Sequence, residues 1–443
     1  MQASLKHHLD DWLFFRVSEK LKFALKVSFS LMLAYMIPMA MGWEQANVAA
    51  MTVMFIAGSG TLRNSFNMGV IRVIGTIIGA TLGMTLIAVF PQERMAYLSS
   101  LSLLMSVISY LYYAYQGDKT VIMLTGVTTM MIYISGPEDA FIYGMDRTYM
   151  TIFGIIVYTL VGVLIWPQKD EGKSSVIQDE TKRFIWLDPE YFKATLQLFL
   201  VFWFSVVFWI LLNPPGGFLV VVLASALGLV TSFSPIKPGL LIVLFSIGFI
   251  FAALMYVLVL PNLMYAWELG LFLFAYTFIA FYFINAKISI FFLLGMFLLG
   301  IKNTMSYNFD VFLMILLTFY IFLMILMFFY NFPFSSKPEH LFSLAKDRFL
   351  SHAQSLENLE KLPNEYFKGK KIAYHKAHML ICSKKLLLWG SKIDTQYFNN
   401  VFKEQIQVFC YECERYTQDK TSLQVCYNAA HAIDWKNLRE NRF

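Results

Sequence analysis

Basic residues inside otherwise apolar segments are the first feature of this sequence that could do chemistry. Lys26, Arg63, Arg72 and Arg147 lie in or beside long apolar stretches, and Asp146 precedes the last of them. Charge inside a membrane is costly, so such positions are functional candidates by default. The planar fork of arginine matches a carboxylate bidentately. Arg63 and Arg72, with Lys26 and Arg147, are therefore predicted to bind an organic anion.

Each of these positions also has a simpler interpretation. Lys26 lies near a predicted helix end, and snorkelling of its ammonium to phosphate headgroups is the favoured explanation. For Arg72, contact with a ligand and snorkelling to the headgroups explain the position equally well. Arg147 is interpreted more readily as a structural tie to Asp146 or to an outer-loop acid. Asp146 is also the candidate for ion coupling, although no acidic residue lies deep in a predicted span.

Small residues mark one segment as a packing surface. Gly75, Gly79 and Gly83 recur every four residues and form a flat strip on one helix face. Helix packing is the favoured interpretation of this strip. It places the third predicted span inside a bundle, so Arg72, which precedes the strip, is expected to face protein or a cavity rather than lipid.

Metal and cofactor chemistry has little support in the sequence. His375 and His378 are three residues apart, as are Cys410 and Cys413, which would suit zinc, but the two pairs are distant in sequence. We predict no metal and no cofactor. No Walker A loop occurs, and none of the seven His lies in a predicted span, which argues against an enzyme.

The elements that position these residues are predicted to be membrane-spanning helices. Only 14% of the residues are charged and 58% are hydrophobic, which excludes an ordinary soluble surface. A bilayer core of about 30 Å needs roughly 20 apolar residues of helix. The fold class is therefore all-α and polytopic, with about twelve transmembrane helices. The spans are predicted at residues 23–41, 45–61, 70–90, 96–115, 120–135, 147–166, 193–212, 217–234, 239–260, 264–284, 287–301 and 309–330.

The spans divide into two similar halves. Pro91 and Pro261 are 170 residues apart and occupy matching places in the span order, which predicts two six-helix repeats. Six is an even number, so the repeats are parallel. The Lys- and Arg-rich segments alternate with basic-poor ones, which places both termini in the cytoplasm. The predicted parts are an N-terminal segment (1–22), the first half (23–167), a cytoplasmic linker (168–192), the second half (193–333) and a helical cytoplasmic domain (334–443).

Two sequence elements resemble a known family. Residues 72–80 resemble the Arg-x-x-Gly-Thr-x-x-Gly-Ala signature of the fusaric acid resistance and aromatic acid exporter superfamily. Arg147, followed by Gly154 and then Trp166-Pro167, resembles the sixth span of the same family's first half. The resemblance implies an inner-membrane efflux component, driven by the proton gradient, that passes small aromatic or other organic acids to a periplasmic adaptor.

The sequence thus favours a secondary exporter of small organic acids in the bacterial inner membrane. Its expected partners are an organic anion, the lipid bilayer and a periplasmic adaptor, with no nucleic acid, and a homo-oligomer is left open. An alternative is a membrane scaffold or regulator whose cytoplasmic C-terminal domain carries the function. An enzyme acting on lipid-linked substrates ranks last, because the predicted spans lack His and no outer loop is long enough to build a pocket.

Overall fold

The fold consists of helices in the part of the chain that can be described. The computed structural model describes residues 19–43, 45–57, 62–115, 119–165, 189–214, 216–231, 238–284, 286–301, 309–334, 337–361, 368–390, 404 and 407–408. No strand occurs among these residues. The prediction of an all-helical, polytopic membrane protein is confirmed.

Twelve apolar helices precede the C-terminal part of the chain among these residues. The first six are α1 (Glu19–Ala40), α2 (Ala46–Ala57), α3 (Leu62–Val89), α4 (Arg94–Ala114), α5 (Thr120–Ile132) and α6 (Gly136–Leu164), with a 3-10 turn at Tyr133–Ser135. The next six are α7 (Pro189–Leu212), α8 (Leu219–Thr231), α9 (Pro238–Leu258), α10 (Ala266–Phe283), α11 (Ala286–Leu298) and α12 (Phe309–Asn331), with a 3-10 turn at Leu260–Asn262.

Helix length supports fewer complete crossings than the twelve expected. Within the described ranges, eight helices are long and apolar enough to span a bilayer: α1, α3, α4, α6, α7, α9, α10 and α12. The other four, α2, α5, α8 and α11, have 12 or 13 residues. At 1.5 Å per residue they are about 18–20 Å long, less than the roughly 30 Å hydrocarbon core. Hydropathy did not predict the end of α11, where Gly300 has a φ of +62°.

Two helices begin earlier than the sequence predicted. α3 starts at Leu62, so Arg63-Asn64-Ser65 lies in its first turn rather than in a break. α6 starts at Gly136, and the predicted turn at residues 136–139 is its first turn. Proline is tolerated in the first turn of α6 because the first backbone N–H groups of a helix have no intrahelical acceptor. Asp146 and Arg147 therefore lie about three helical turns after the start of α6, whereas the predicted span began at residue 147.

The small-residue strip of α3 lies against α5. A Cβ atom at Gly79 would be 2.6 Å from the Thr125 carbonyl oxygen, and one at Gly75 would be 2.8 Å from the Val121 carbonyl oxygen. The Thr129 hydroxyl donates a 3.1 Å hydrogen bond to the Gly79 carbonyl. Glycine allows this approach because it removes the side chain that would separate the two backbones.

Corresponding helices of the two halves make corresponding contacts. The first helix of each half contacts the fourth helix of the other. α1 packs on α10 through Phe23 and Phe281, and the Arg94 guanidinium of α4 lies over the Trp209 ring of α7. The third and fifth helices also pair in both halves, since a Cβ at Gly295 of α11 would be 2.5 Å from the Gly248 carbonyl oxygen of α9. In both halves the second and fifth helices are the short ones.

Two further helices form an antiparallel pair after the apolar part. They are α13 (Pro338–Lys361) and α14 (Lys368–Gly390), which pack closely on each other. Phe342, Phe349 and Leu356 of α13 are buried, as are Leu386 and Trp389 of α14. This pair forms one compact unit with residues 189–197 of α7 and residues 327–334, whereas the remaining apolar helices form another. The domain boundaries predicted from the sequence stay a prediction.

Candidate anion-binding site

Arg72 occupies the most unusual polar environment among the described residues. Its side chain is half-buried on α3, ten residues after that helix begins at Leu62. The guanidinium carbon lies 4.9 Å from the centroid of the Phe55 ring in the last turn of α2. The Nε atom is buried and has no hydrogen-bond partner in the described part of the chain. The Arg72 guanidinium is thus held against the Phe55 ring and can still donate a hydrogen bond.

This arrangement suits a carboxylate that carries an aromatic ring. Contact with the Phe55 face stabilises the cation without using its N–H groups, which lie in the guanidinium plane. A buried donor without an acceptor costs about 1–3 kcal/mol, and an incoming carboxylate would relieve that cost. The partly exposed Phe55 ring offers an apolar surface for the rest of the ligand.

Arg147 adds a second positive charge to the same region. It lies on α6, which packs against both α2 and α3. Arg147 and Arg72 thus lie on two helices that pack against each other. An anion bound between two cations is favoured by both charges, most strongly where water is scarce. Neighbouring Asp146 is half-buried and has an interaction of its own within the structure.

The other two predicted cations have different settings. Lys26 is only 6% exposed on α1, so its ammonium is enclosed by protein rather than extended to headgroups as the snorkelling interpretation required. The reason is that α1 is covered by α2, α6 and α10. Arg63 belongs to the first turn of α3, and the position of its side chain lies outside what the structure describes.

An aromatic stack between the halves was not predicted from the sequence. Tyr97 of α4 stacks on Tyr133 at 4.7 Å, Tyr133 meets Phe218 at 4.4 Å, and Phe218 meets Trp209 at 5.1 Å. The Arg94 guanidinium covers the Trp209 ring at 4.5 Å. The Tyr97 hydroxyl is buried and has no hydrogen-bond partner among the described residues. With 43 Phe in the chain, aromatic content alone could not single out these residues or Phe55.

The histidines of the C-terminal pair form a cluster of their own. His352 of α13 and His375 of α14 share a hydrogen bond of 2.9 Å between their Nδ1 atoms, and the His378 ring stacks on His352 at 5.1 Å. Burial lowers the pKa of His375, which favours the neutral ring that such a bond requires. Cys410 and Cys413 lie outside the described residues, and within those residues no group of three ligands is arranged to hold a metal ion.

An ion cluster joins the C-terminal pair to the start of α7. Glu190 accepts hydrogen bonds from Arg348 of α13, at 2.9 Å, and from Lys385 of α14. The carboxylate is 11% exposed, and the two cations are 17% and 20% exposed. Both helices are thereby fixed to the residue at which the candidate span Glu190–Leu212 begins.

Glu190→Gln is expected to loosen the C-terminal pair. The change leaves two cations facing each other, and we expect a loss of about 2 kcal/mol, less than the 3–5 kcal/mol for a fully buried pair because water reaches the cluster. Hydrogen exchange of residues 338–390 in the full chain would report it. Asp347→Asn, which removes the surface pair with Lys346, is the control and should change exchange little. Equal exchange in both variants would show that the Glu190 cluster does not hold the pair.

Comparison with known proteins finds a family match for the first half of the chain. Residues 20–176 match the model of the fusaric acid resistance protein family. The match covers α1 to α6 and includes Phe55, Arg72 and Arg147, so the resemblance carried by residues 72–80 is confirmed there. That family is a transporter family, which supports a role in membrane transport or resistance. No curated protein and no solved structure matches the chain.

Proposed function

We propose that this protein exports small organic acids, aromatic carboxylates foremost, across the bacterial inner membrane. The observation that carries the proposal is the half-buried Arg72 side chain, held over Phe55 with a buried Nε atom that has no hydrogen-bond partner among the described residues. It lies inside the segment that matches a transporter family. Arg72 binds the carboxylate, Phe55 contacts the ring, and Arg147 draws the anion further along the membrane. Lys26 and Arg63 supply positive charge at the entrance.

The transport path in this proposal runs between two parallel six-helix repeats. The contact of the first helix of each half with the fourth helix of the other half supports such a repeat. The short helices in the second and fifth places of both halves also support it. The short helix α2 ends at Ala57, so its last turn lies beside Arg72. Helices that stop inside the membrane expose backbone groups to a ligand, which suits a binding site at this level.

The orientation and partners belong to the same proposal. The Lys- and Arg-rich segments face the cytoplasm, as the positive-inside rule requires, and both termini lie there. Arg72 is then near the cytoplasmic end of α3, where an acid enters. The stack from Tyr97 to Trp209 lies toward the outer side, where the substrate passes to a periplasmic adaptor. Asp146, about three turns after the start of α6, is the coupling candidate.

Transport measurements with a shortened chain separate the exporter from the scaffold. Cells with the full chain should accumulate less of a radiolabelled aromatic acid, such as benzoate, than cells with an empty vector. A chain that ends before residue 335 should keep most of this effect, because Arg72, Phe55 and Arg147 precede that point. Complete loss of export, with the shortened chain present at normal abundance in the membrane, would favour the scaffold. Equal accumulation with and without the full chain, across a panel of organic acids, would refute export.

A further inference from the structure

One face of α14 is both basic and apolar. The helix has 23 residues, with six lysines and no Asp or Glu. Lys370, Lys376 and Lys384 are exposed, and Leu380, Leu387 and Leu388 are 37–43% exposed on the same side. The opposite side is buried, with His378 and Trp389 at 3% and 4% exposure. Lysines alternating with leucines on an open face are typical of helices that lie on a membrane surface.

The partner helix lacks such a face. The exposed residues of α13 are polar: His340, Asp347, Ser351, Gln354 and Asn358. None of the large hydrophobic residues described in α13 is exposed. The combination of positive charge and exposed leucine is therefore specific to α14 and is not a general property of this unit's surface.

The end of α14 lies beside the start of an apolar helix. Lys385 pairs with Glu190 in the first turn of α7, and its ammonium lies 5.4 Å from the centroid of the Tyr191 ring. Lys384, Leu387 and Leu388 are within one helical turn of Lys385. α7 is long and apolar enough to span a bilayer, so its first turn is expected to meet phospholipid headgroups with these residues next to it.

We propose that the exposed face of α14 binds anionic phospholipid headgroups on the side of the membrane where α7 begins. The lysine ammonium groups contact the phosphates, and the leucines enter the interfacial layer. Positive charge with no acidic residue on the helix favours an anionic surface over a neutral one. The inference is independent of the transported substrate and of the export direction.

Hydrogen exchange of the full-length protein in nanodiscs tests this contact. We compare discs of phosphatidylcholine alone with discs that also contain phosphatidylglycerol. Exchange of residues 380–388 should slow by on the order of tenfold or more with phosphatidylglycerol, since each lysine near an anionic surface strengthens the contact about fivefold. High salt should reverse the slowing.

Two triple variants make the test specific. Lys370, Lys376 and Lys384 replaced together by Gln should lose the slowing, whereas replacement by Arg keeps the charge and should retain it. All three side chains are exposed, so both variants are expected to fold. Equal exchange of the unaltered chain in the two kinds of disc would overturn the proposal. Slowing that depends on protein concentration rather than on phosphatidylglycerol would also overturn it, because it would assign this face to a second copy of the chain.

Discussion

Replacing Arg72 by Ala is expected to lower the rate of export by about two orders of magnitude. The variant loses the charged fork that we propose binds the carboxylate, and a bidentate charged hydrogen bond contributes about 3 kcal/mol, or roughly 150-fold. Efflux of a radiolabelled aromatic acid from preloaded cells measures the effect. Membrane abundance should stay normal, because removing a cation from the helix interior also removes a desolvation cost.

Matched variants distinguish binding from a general disturbance of α3. Ile74→Ala alters the same helix two residues away, at a side chain that is 45% exposed, and should leave efflux within about twofold. Arg72→Lys keeps the charge but not the planar fork, so it should recover only part of the rate. Normal efflux of every acid tested by Arg72→Ala would sink the proposed site, and a normal rate with Arg72→Lys would show that charge alone is needed.

A substitution at Phe55 tests whether this ring binds the ligand together with Arg72. If Arg72 and Phe55 bind the ligand together, Phe55→Leu should weaken export of aromatic acids more than that of aliphatic ones, because only the former stack on the ring. The two side chains lie on different helices, α2 and α3, and meet only in the folded protein. Their effects should be less than additive, as expected for residues that contact one ligand.

The sequence predicted the positions of most helices because hydropathy is a strong local signal. All twelve predicted spans overlap a described helix. Boundaries failed where two local rules competed. Gly136-Pro137 looked like a turn, yet proline is also favoured at the start of a helix, and α6 begins there. That error placed Asp146 and Arg147 at the start of the sixth helix, although they lie about three turns after it.

The candidate site was predictable only in part. An intramembrane arginine is rare enough to be noticed without a structure, so Arg72 could be found. Phe55 could not, since its role depends on packing between α2 and α3, and nothing local distinguishes it from the other phenylalanines. Glu190 was missed for the same reason: its partners Arg348 and Lys385 are more than 150 residues away in sequence.

Adding a single methyl group at Gly79 is expected to destabilise the first half. In Gly79→Ala the new Cβ would lie 2.6 Å from the Thr125 carbonyl oxygen and 2.8 Å from the Thr128 Cβ. The nearest atom belongs to the backbone, so no rotamer change relieves the overlap, and α3 and α5 must separate. The Thr129 hydrogen bond to the Gly79 carbonyl is weakened at the same time.

Overpacking of this kind costs typically 1–3 kcal/mol. For a protein of this size that corresponds to a fall in Tm of roughly 1–3 °C, measured by thermal unfolding of the purified protein in detergent. Gly154→Ala should behave alike, because its Cβ would lie 2.5 Å from the Ala49 carbonyl oxygen. The two substitutions should be nearly additive, since the positions have no neighbour in common.

Two glycines in open positions serve as matched controls. A Cβ at Gly239 meets nothing within 4 Å, and one at Gly270 lies 3.7 Å from the Met32 sulfur, an ordinary contact. Gly239→Ala and Gly270→Ala should therefore leave the Tm unchanged or raise it slightly, because alanine favours the helix. A melting temperature for Gly79→Ala equal to that of these controls would mean that α3 and α5 do not approach through the glycine strip.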